Sequence, residues 1–161
     1  MNHPPPEPPV DRSRQQLAPG FVTKLDAFLA DMANRGHQTV IAETFRTPER
    51  QEWLYGFGRE YDDGRGIVTR AESAGTSYHG YGLAADCVDA LKAWDASDEY
   101  WAVFGDAAEA AGLTWGGRWT HPDKPHVQLG GMPHVAPSEN AQTLYAAGNI
   151  AEVWRQLGCD A

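Results

Sequence analysis

The sequence is short of positive charge and of cysteine, and it lacks any long apolar run. Lys and Arg number 13 against 22 Asp and Glu, so the formal net charge is −9. Binding to nucleic acid or to an anionic membrane surface needs a basic face, so neither is expected as a partner. No stretch approaches the roughly 18 apolar residues of a membrane-spanning helix, so we expect no membrane insertion.

The small number of cysteines in the chain, and the few apolar residues near its N-terminus, indicate the redox state and the export route to expect. Cys87 and Cys159 are too few for a disulfide framework and match no Cys-x-x-Cys metal motif, so we expect two reduced thiols. The N-terminus lacks the apolar core of a secretory signal peptide. This predicts a protein that is made in the cytoplasm and not exported by that route.

What the sequence does contain is the composition of one ordinary globular domain. Its 161 residues are 42% hydrophobic and 22% charged, which excludes a disordered or fibrous chain. Residues 1–16 begin with a proline-rich stretch that is nearly devoid of apolar residues. Such a stretch predicts a flexible tail, with the folded domain over 17–161.

The folded part mixes helical and strand patterns. Apolar residues at helical spacing, and the helix-start signal Thr47-Pro48, predict helices over 17–36, 48–57, 98–111 and the C-terminus. β-branched or alternating segments predict strands over 38–45, 82–90, 113–115 and 125–129. Because these elements do not alternate regularly, we expect a small α+β domain with a central antiparallel sheet flanked by helices.

Two polar stretches lie within the predicted strands and turns. SYHGYGLAAD (77–86) places His79 in a glycine-rich turn, seven residues before Asp86 in a strand. DKPHVQL (123–129) places His126 at the start of another strand. If these two strands are neighbours in the sheet, the three side chains converge at one place.

Two imidazoles and one carboxylate, with a fourth position open for water, are the donor set of a catalytic zinc site. The residues therefore predict one Zn²⁺ per chain, bound by His79, Asp86 and His126. Asp123 is the candidate general base, because it stands three residues before the second histidine. Arg46 follows the first predicted strand and is a candidate for holding an oxyanion or a substrate carboxylate.

Each of these residues also has an ordinary structural explanation. A single histidine is more often a hydrogen-bonded structural group than a metal ligand, and Asp123 alone fits a turn before Lys-Pro. Arg46 alone could pair with Glu43 or Glu49. The histidines and aromatic residues near the motifs would either line a cleft or lie elsewhere, on the surface or in the core: His121, His134, Tyr78, Tyr81, Trp115 and Trp119.

At these positions the chain resembles the zinc peptidoglycan peptidases of the D-alanyl-D-alanine carboxypeptidase and L-alanyl-D-glutamate endopeptidase family. The family's Ser-x-His-x-x-Gly and Asp pattern, and its later Asp/Glu-x-x-His, are matched by Ser77, His79, Gly82, Asp86, Asp123 and His126. A Trp-Gly-Gly-x-Trp segment matches residues 115–119, and an Arg ahead of a Gln-containing helix matches Arg46 and Gln51. The resemblance spans about residues 17–157.

The resemblance implies a small α+β fold with a zinc cleft on the sheet, and a hydrolase acting on the peptide stem of peptidoglycan. It implies zinc binding by the His-Asp-His set and catalysis by Asp123. Arg46 and Ser77 would contact the substrate. The predicted substrate-binding set is completed by three aromatic residues of the cleft wall: Tyr78, Trp115 and Trp119.

The bond that is cut is a separate question. Asp at position 123, together with the Trp-Gly-Gly-x-Trp segment, is similar to the L-alanyl-D-glutamate endopeptidase branch, which includes phage endolysins. A D-alanyl-D-alanine carboxypeptidase is the alternative. A non-catalytic, zinc-containing wall-binding module is an alternative of another class, although such a module would not need Asp123. We expect a monomer that acts on the cell wall. It would reach the wall after release from the cytoplasm, as phage endolysins do, or by an export route that the sequence does not show.

Overall fold

The first helix, α1 (Pro19–Asn34), follows from apolar residues spaced to form one face. The computed structural model describes residues 2–161 and places that face in the core, through Phe21, Leu25, Phe28 and Met32. The remaining helices are α2 (Pro48–Gly56), α3 (Asp98–Ala110), α4 (Glu139–Ala146) and α5 (Ile150–Gln156). The predicted helical C-terminus therefore consists of two helices. None of the helices within 2–161 has both the length and the apolar character needed to cross a bilayer.

The strands are β1 (Thr39–Glu43), β2 (Ala84–Asp89), β3 (Leu113–Trp115) and β4 (His126–Leu129). Over the part of the chain that is described, they form one antiparallel sheet in the order β1-β2-β4-β3. The predicted α+β fold with a central antiparallel sheet is confirmed. Because β2 and β4 are neighbours, Asp86 lies directly opposite His126.

The core lies between one face of the sheet and helices α1 and α3. Phe28 of α1 meets Phe104 of α3 edge to face, with ring centroids 4.8 Å apart, and both rings are fully buried. Cys87 of β2 and Cys159 are also buried, and both are free thiols. Since side chains alternate along a strand, Asp86 and its partner on β4 face the other side of the sheet, away from this core.

The N-terminal segment packs against the folded domain, which differs from the predicted flexible tail. Trp53 Nε1 of α2 donates to the carbonyl of Pro5 at 2.8 Å, and Arg50 Nη1 donates to Glu7 at 3.0 Å. Proline lacks an N–H but keeps its carbonyl, so a proline-rich segment still accepts hydrogen bonds. Donors on α2 therefore fix a stretch that has little apolar surface of its own.

Candidate metal centre

Three polar side chains converge on the face of the sheet opposite the core: His79, Asp86 and His126. One potential ligand atom from each lies within 4.8 Å of the other two. His79 Nε2 and His126 Nδ1 each lie 3.4 Å from the same atom, Asp86 Oδ1. All three residues are buried. The fold thus gathers two nitrogens and one oxygen around a single point.

A sharp turn brings the first histidine to this point. His79 lies in a short 3₁₀ helix, Tyr78–Tyr81, which ends at Gly82 with a left-handed backbone, φ 68°. A Cβ at Gly82 would lie 2.2 Å from the carbonyl oxygen of Gln16, so both the backbone angle and the space require glycine. The turn reverses the chain into β2, which carries Asp86.

Outer hydrogen bonds fix the orientation of both rings. His79 Nδ1 donates to the carbonyl of Thr44 at 2.7 Å, and His126 Nε2 donates to Gln128 Oε1 at 2.8 Å. Because the outer nitrogen of each ring donates, the inner nitrogen of the neutral imidazole has a lone pair for a metal ion. Metal-binding histidines are commonly oriented by such partners.

Unpaired buried polar atoms concentrate at this cluster. Within residues 2–161, the buried side-chain atoms that lack a hydrogen-bond partner are His79 Nε2, Asp86 Oδ1, Trp119 Nε1 and Gln128 Nε2. The Trp119 ring lies 5.1 Å from the His126 ring. Buried polar groups are normally paired, so the inward nitrogen and oxygen lack a shared partner. A zinc ion bound by two nitrogens and one oxygen, with one position open, fits this donor set.

The charges around the cluster favour an ionised carboxylate. Burial alone would raise the pKa of Asp86, but His79, His126 and Arg46 hold this pKa well below its ordinary value. Burial alone would lower the pKa of His126, but its contact with Asp86 and the charge of Asp123 raise it. The site therefore holds an ionised carboxylate where a cation would bind.

Asp123 lies at the rim of the cluster. Its Oδ2 is 3.9 Å from His126 Nδ1, and its side chain is 51% exposed. Removal from water on the inner side, and the negative charge of Asp86, raise the pKa of Asp123. A carboxylate that adjoins the cluster and also reaches solvent can exchange protons with a water molecule there.

The Trp-Gly-Gly-x-Trp segment sets the position of this rim. A Cβ at Gly116 would lie 2.5 Å from the Asp123 carbonyl oxygen and 3.2 Å from the Cβ of His126. The N–H of Asp123 donates to the Gly116 carbonyl at 2.9 Å. At Gly117 a Cβ would lie 2.1 Å from the Trp115 ring. Gly116 thus allows the segment to pack closely against Asp123 and His126, and Gly117 leaves room for the Trp115 ring.

Arg46 is enclosed by three partners. Its Nη2 donates to Asp86 Oδ2 at 3.0 Å, its Nη1 donates to Gln51 Oε1 at 3.3 Å, and its Nε donates to Glu43. The side chain is only 12% exposed. The pairing with Glu43 was one of the two alternatives from the sequence, whereas the contact with Asp86 was not foreseen. A contact between Arg46 and substrate stays a prediction.

The other predicted substrate-binding residues divide into two groups. Ser77 directly precedes the short 3₁₀ helix that carries His79, and the Trp119 ring lies against the His126 ring. The Tyr78 hydroxyl donates to the Pro133 carbonyl, and this side chain belongs to the buried core.

Trp115 also makes packing contacts. Its ring lies 6.3 Å from that of Phe104 in α3, and its Nε1 donates to the Lys124 carbonyl at 2.7 Å. The packing of Tyr78 and Trp115 within the fold does not support a role in substrate binding, and that role stays a prediction for both residues. His121 and His134 are exposed.

Sequence reasoning missed the outer partners of the histidines. Gln128 gave a usable signal, because it alternates onto the same face as His126. The carbonyl of Thr44 gave none, since every residue carries a carbonyl and only the fold decides which one meets a ring.

Comparisons with known proteins agree with this site. The D-alanyl-D-alanine carboxypeptidase family model matches residues 70–129, which include the three clustered residues. Peptidoglycan L-alanyl-D-glutamate endopeptidase CwlK of Bacillus subtilis is 35% identical over 127 residues, which cover 70% of this chain and 73% of CwlK.

Solved structures share the fold. Serratia marcescens L-Ala D-Glu endopeptidase ChiX matches with a TM-score of 0.54 at 23% identity, over 74% of this chain and 87% of ChiX. The vancomycin resistance D,D-pentapeptidase VanY, in complex with Zn(II), matches with a TM-score of 0.51 at 18% identity, over 91% of this chain and 92% of VanY. The family model and the 35% identity to CwlK show that the chain belongs to the D-alanyl-D-alanine carboxypeptidase and L-alanyl-D-glutamate endopeptidase family of metallopeptidases.

Proposed function

We propose that this protein is a zinc metallopeptidase that hydrolyses the L-alanyl-D-glutamate bond in the peptide stem of peptidoglycan. The observation that carries the proposal is the buried His-Asp-His cluster, in which His79 Nε2 and Asp86 Oδ1 have no hydrogen-bond partner within residues 2–161. The 35% identity to CwlK supports the substrate and the bond.

The geometry of the cluster supports one set of ligand atoms. His79 Nε2, Asp86 Oδ1 and His126 Nδ1 would hold one zinc ion per chain. Bound zinc supplies a Lewis acid for the substrate carbonyl and lowers the pKa of a bound water towards about 7. Three protein ligands are the number found in catalytic zinc sites, whereas structural sites use four.

Asp123 would act as the general base. Its carboxylate lies at the rim, in reach of both solvent and the cluster, so it can accept a proton from the attacking water. It would then return that proton to the leaving amine, which needs one to depart as a neutral group. The pKa of Asp123 is raised towards neutral pH. A general base is most effective when its pKa lies near the pH at which the enzyme works.

Arg46 would orient Asp86 and contact the substrate. A guanidinium has five N–H donors, and the bonds to Glu43, Gln51 and Asp86 use three of them. The remaining two would donate to a substrate oxygen. Ser77 and Trp119 would contribute further contacts beside the cluster.

A D-alanyl-D-alanine carboxypeptidase is the second candidate, because the matching family model carries that description. Digestion of purified peptidoglycan by the zinc-loaded protein distinguishes the two. Mass spectrometry should find fragments with new D-Glu N-termini if the protein is an endopeptidase, and free D-Ala if it is a carboxypeptidase. Release of neither product by zinc-loaded, folded protein would contradict the proposed function.

A further inference from the structure

An irregularity in the sheet occurs beside the metal cluster. β1 pairs regularly with β2 as far as Ile41 opposite Cys87, and the register then shifts so that Glu43 lies opposite Asp86. A β-bulge of this kind redirects a side chain, and bulges are common next to active sites. The shift places two carboxylates at opposed positions of neighbouring strands, an arrangement that is unfavourable by itself.

Arg46 bridges the two opposed carboxylates. Its Nε donates to Glu43 and its Nη2 donates to Asp86 Oδ2 at 3.0 Å. The side chains of Glu43 and Asp86 are only 8% and 12% exposed, so water does little to screen them. Because a guanidinium is planar and rigid, its bond to Glu43 helps to set the direction in which it meets Asp86.

Glu43 is fixed in turn by Arg50 of α2. Arg50 Nε lies 3.1 Å from both Glu43 oxygens, and its Nη2 lies 2.8 Å from Oε2. The remaining Nη1 of Arg50 donates to Glu7 at 3.0 Å and to the Pro8 carbonyl at 3.1 Å. Glu43 is therefore held between two arginines and has little freedom to move away from Arg46.

We propose that Glu43 is a positioning residue of the metal centre, which fixes Arg46 so that Asp86 presents Oδ1 to the two histidine rings. The inference rests on the proposed function, since it takes the cluster to be a zinc site. Glu43 is not one of the three clustered residues and would orient Asp86 through Arg46. Without its charge, Arg46 loses one of its two anionic partners, and Asp86 loses a fixed orientation.

The test compares Glu43→Gln with Trp53→Phe in the full chain. Glu43→Gln keeps the side-chain size and removes the charge. Trp53→Phe is the matched control, because it breaks the α2 hydrogen bond to Pro5 without altering any charge in the chain from Arg50 to Asp86. Zinc affinity is measured by competition with a chromophoric chelator, at a temperature where circular dichroism shows each variant folded. The visible spectrum of the cobalt-substituted protein reports the coordination geometry.

We expect Glu43→Gln to lose about tenfold in zinc affinity and to alter the cobalt spectrum. Trp53→Phe should bind zinc as the unmodified protein does and keep its cobalt spectrum, even if its stability falls. If Glu43→Gln fails to fold, the double variant Glu43→Gln/Arg50→Gln takes its place. It removes both buried charges together, so neither is left unpaired, and we expect the same loss of zinc affinity.

Unchanged zinc affinity and cobalt spectrum in a folded variant that lacks the Glu43 charge would overturn the inference. An equal loss in Trp53→Phe would also overturn it, because the effect would then reflect general loosening of α2. An unmodified protein that binds no zinc would overturn the proposed function and this inference with it. That outcome is recognised before any variant is measured.

Discussion

Asp123 and His126 lie three residues apart before and within β4, yet their surroundings indicate separate tasks. His126 is buried with its Nδ1 facing Asp86, whereas Asp123 is half exposed at the rim. We expect Asp123→Ala to keep bound zinc and to lose about 10²- to 10⁴-fold in turnover, the range for a lost general base. His126→Ala should lose both zinc and turnover. Metal analysis and release of amino groups from peptidoglycan measure the two properties, and full activity in Asp123→Ala would contradict the mechanism.

The outer partner of His126 gives a second prediction. Gln128 accepts the Nε2 proton of this ring at 2.8 Å, and its side chain is almost fully buried. Gln128→Leu keeps a similar size but leaves that proton without an acceptor, so zinc affinity should fall by about 10- to 100-fold. Chelator competition measures the change. Gln142→Leu, on α4, is the matched control and should bind zinc normally. Equal affinities in both variants would show that the ring needs no such partner.

The role of a single residue can be predicted from sequence when it depends on side-chain chemistry, but not when it depends on strand register. His79, Asp86 and His126 have side chains that few other tasks require in such spacing, and the structure does gather them. Glu43 was considered only as a partner for Arg46, because a bulge that shifts register by one residue leaves no mark in the sequence. Its position opposite Asp86 follows from strand pairing, which only the folded chain defines.

Among the elements, the glycine-rich segment before β4 acts as a spacer. Gly116→Ala would place a methyl group 2.5 Å from the Asp123 carbonyl, which is backbone and cannot move aside cheaply. We expect a loss of about 1 to 3 kcal/mol in the free energy of unfolding, together with reduced turnover as Asp123 and His126 shift. Urea unfolding and peptidoglycan digestion measure the two effects. A variant with unchanged stability and activity would show that the segment adjusts freely.

Element positions followed from pattern, while the packing of the N-terminal segment did not. Helical spacing and the Thr47 cap located α1 and α2, and the Thr47 side chain does accept the Arg50 N–H. The N-terminal segment was expected to be flexible because it offers little apolar surface. Its attachment depends on carbonyls that accept from α2, such as that of Pro5. Composition shows the lack of apolar groups but not the presence of matching donors.

For the molecule as a whole, the strand order is what places the chemistry. β2 and β4 are adjacent although about 40 residues separate Asp86 from His126 along the chain. The sequence alone predicts that the three side chains converge only if these two strands are neighbours. The core occupies one face of the sheet and the metal cluster the other. The hydrophobic core and the charged, metal-binding groups are therefore kept on separate faces of one sheet.

The buried ion pairs on the polar face should make the stability of the whole molecule depend on pH. Burial alone would raise the pKa of Glu43, but its hydrogen bonds to Arg50 and the charge of Arg46 lower it below the ordinary value. A carboxylate with a lowered pKa in the folded state stabilises that state fully above the ordinary glutamate pKa, about 4.3. This contribution declines as the pH falls below that value and is lost once Glu43 is protonated in the folded protein. Urea unfolding of metal-free protein between neutral pH and about pH 3 should show this decline, and Glu43→Gln should flatten it. A decline of the same steepness in both proteins would assign the acid sensitivity to other carboxylates, and a stability that rises on acidification would contradict the ion-pair argument altogether.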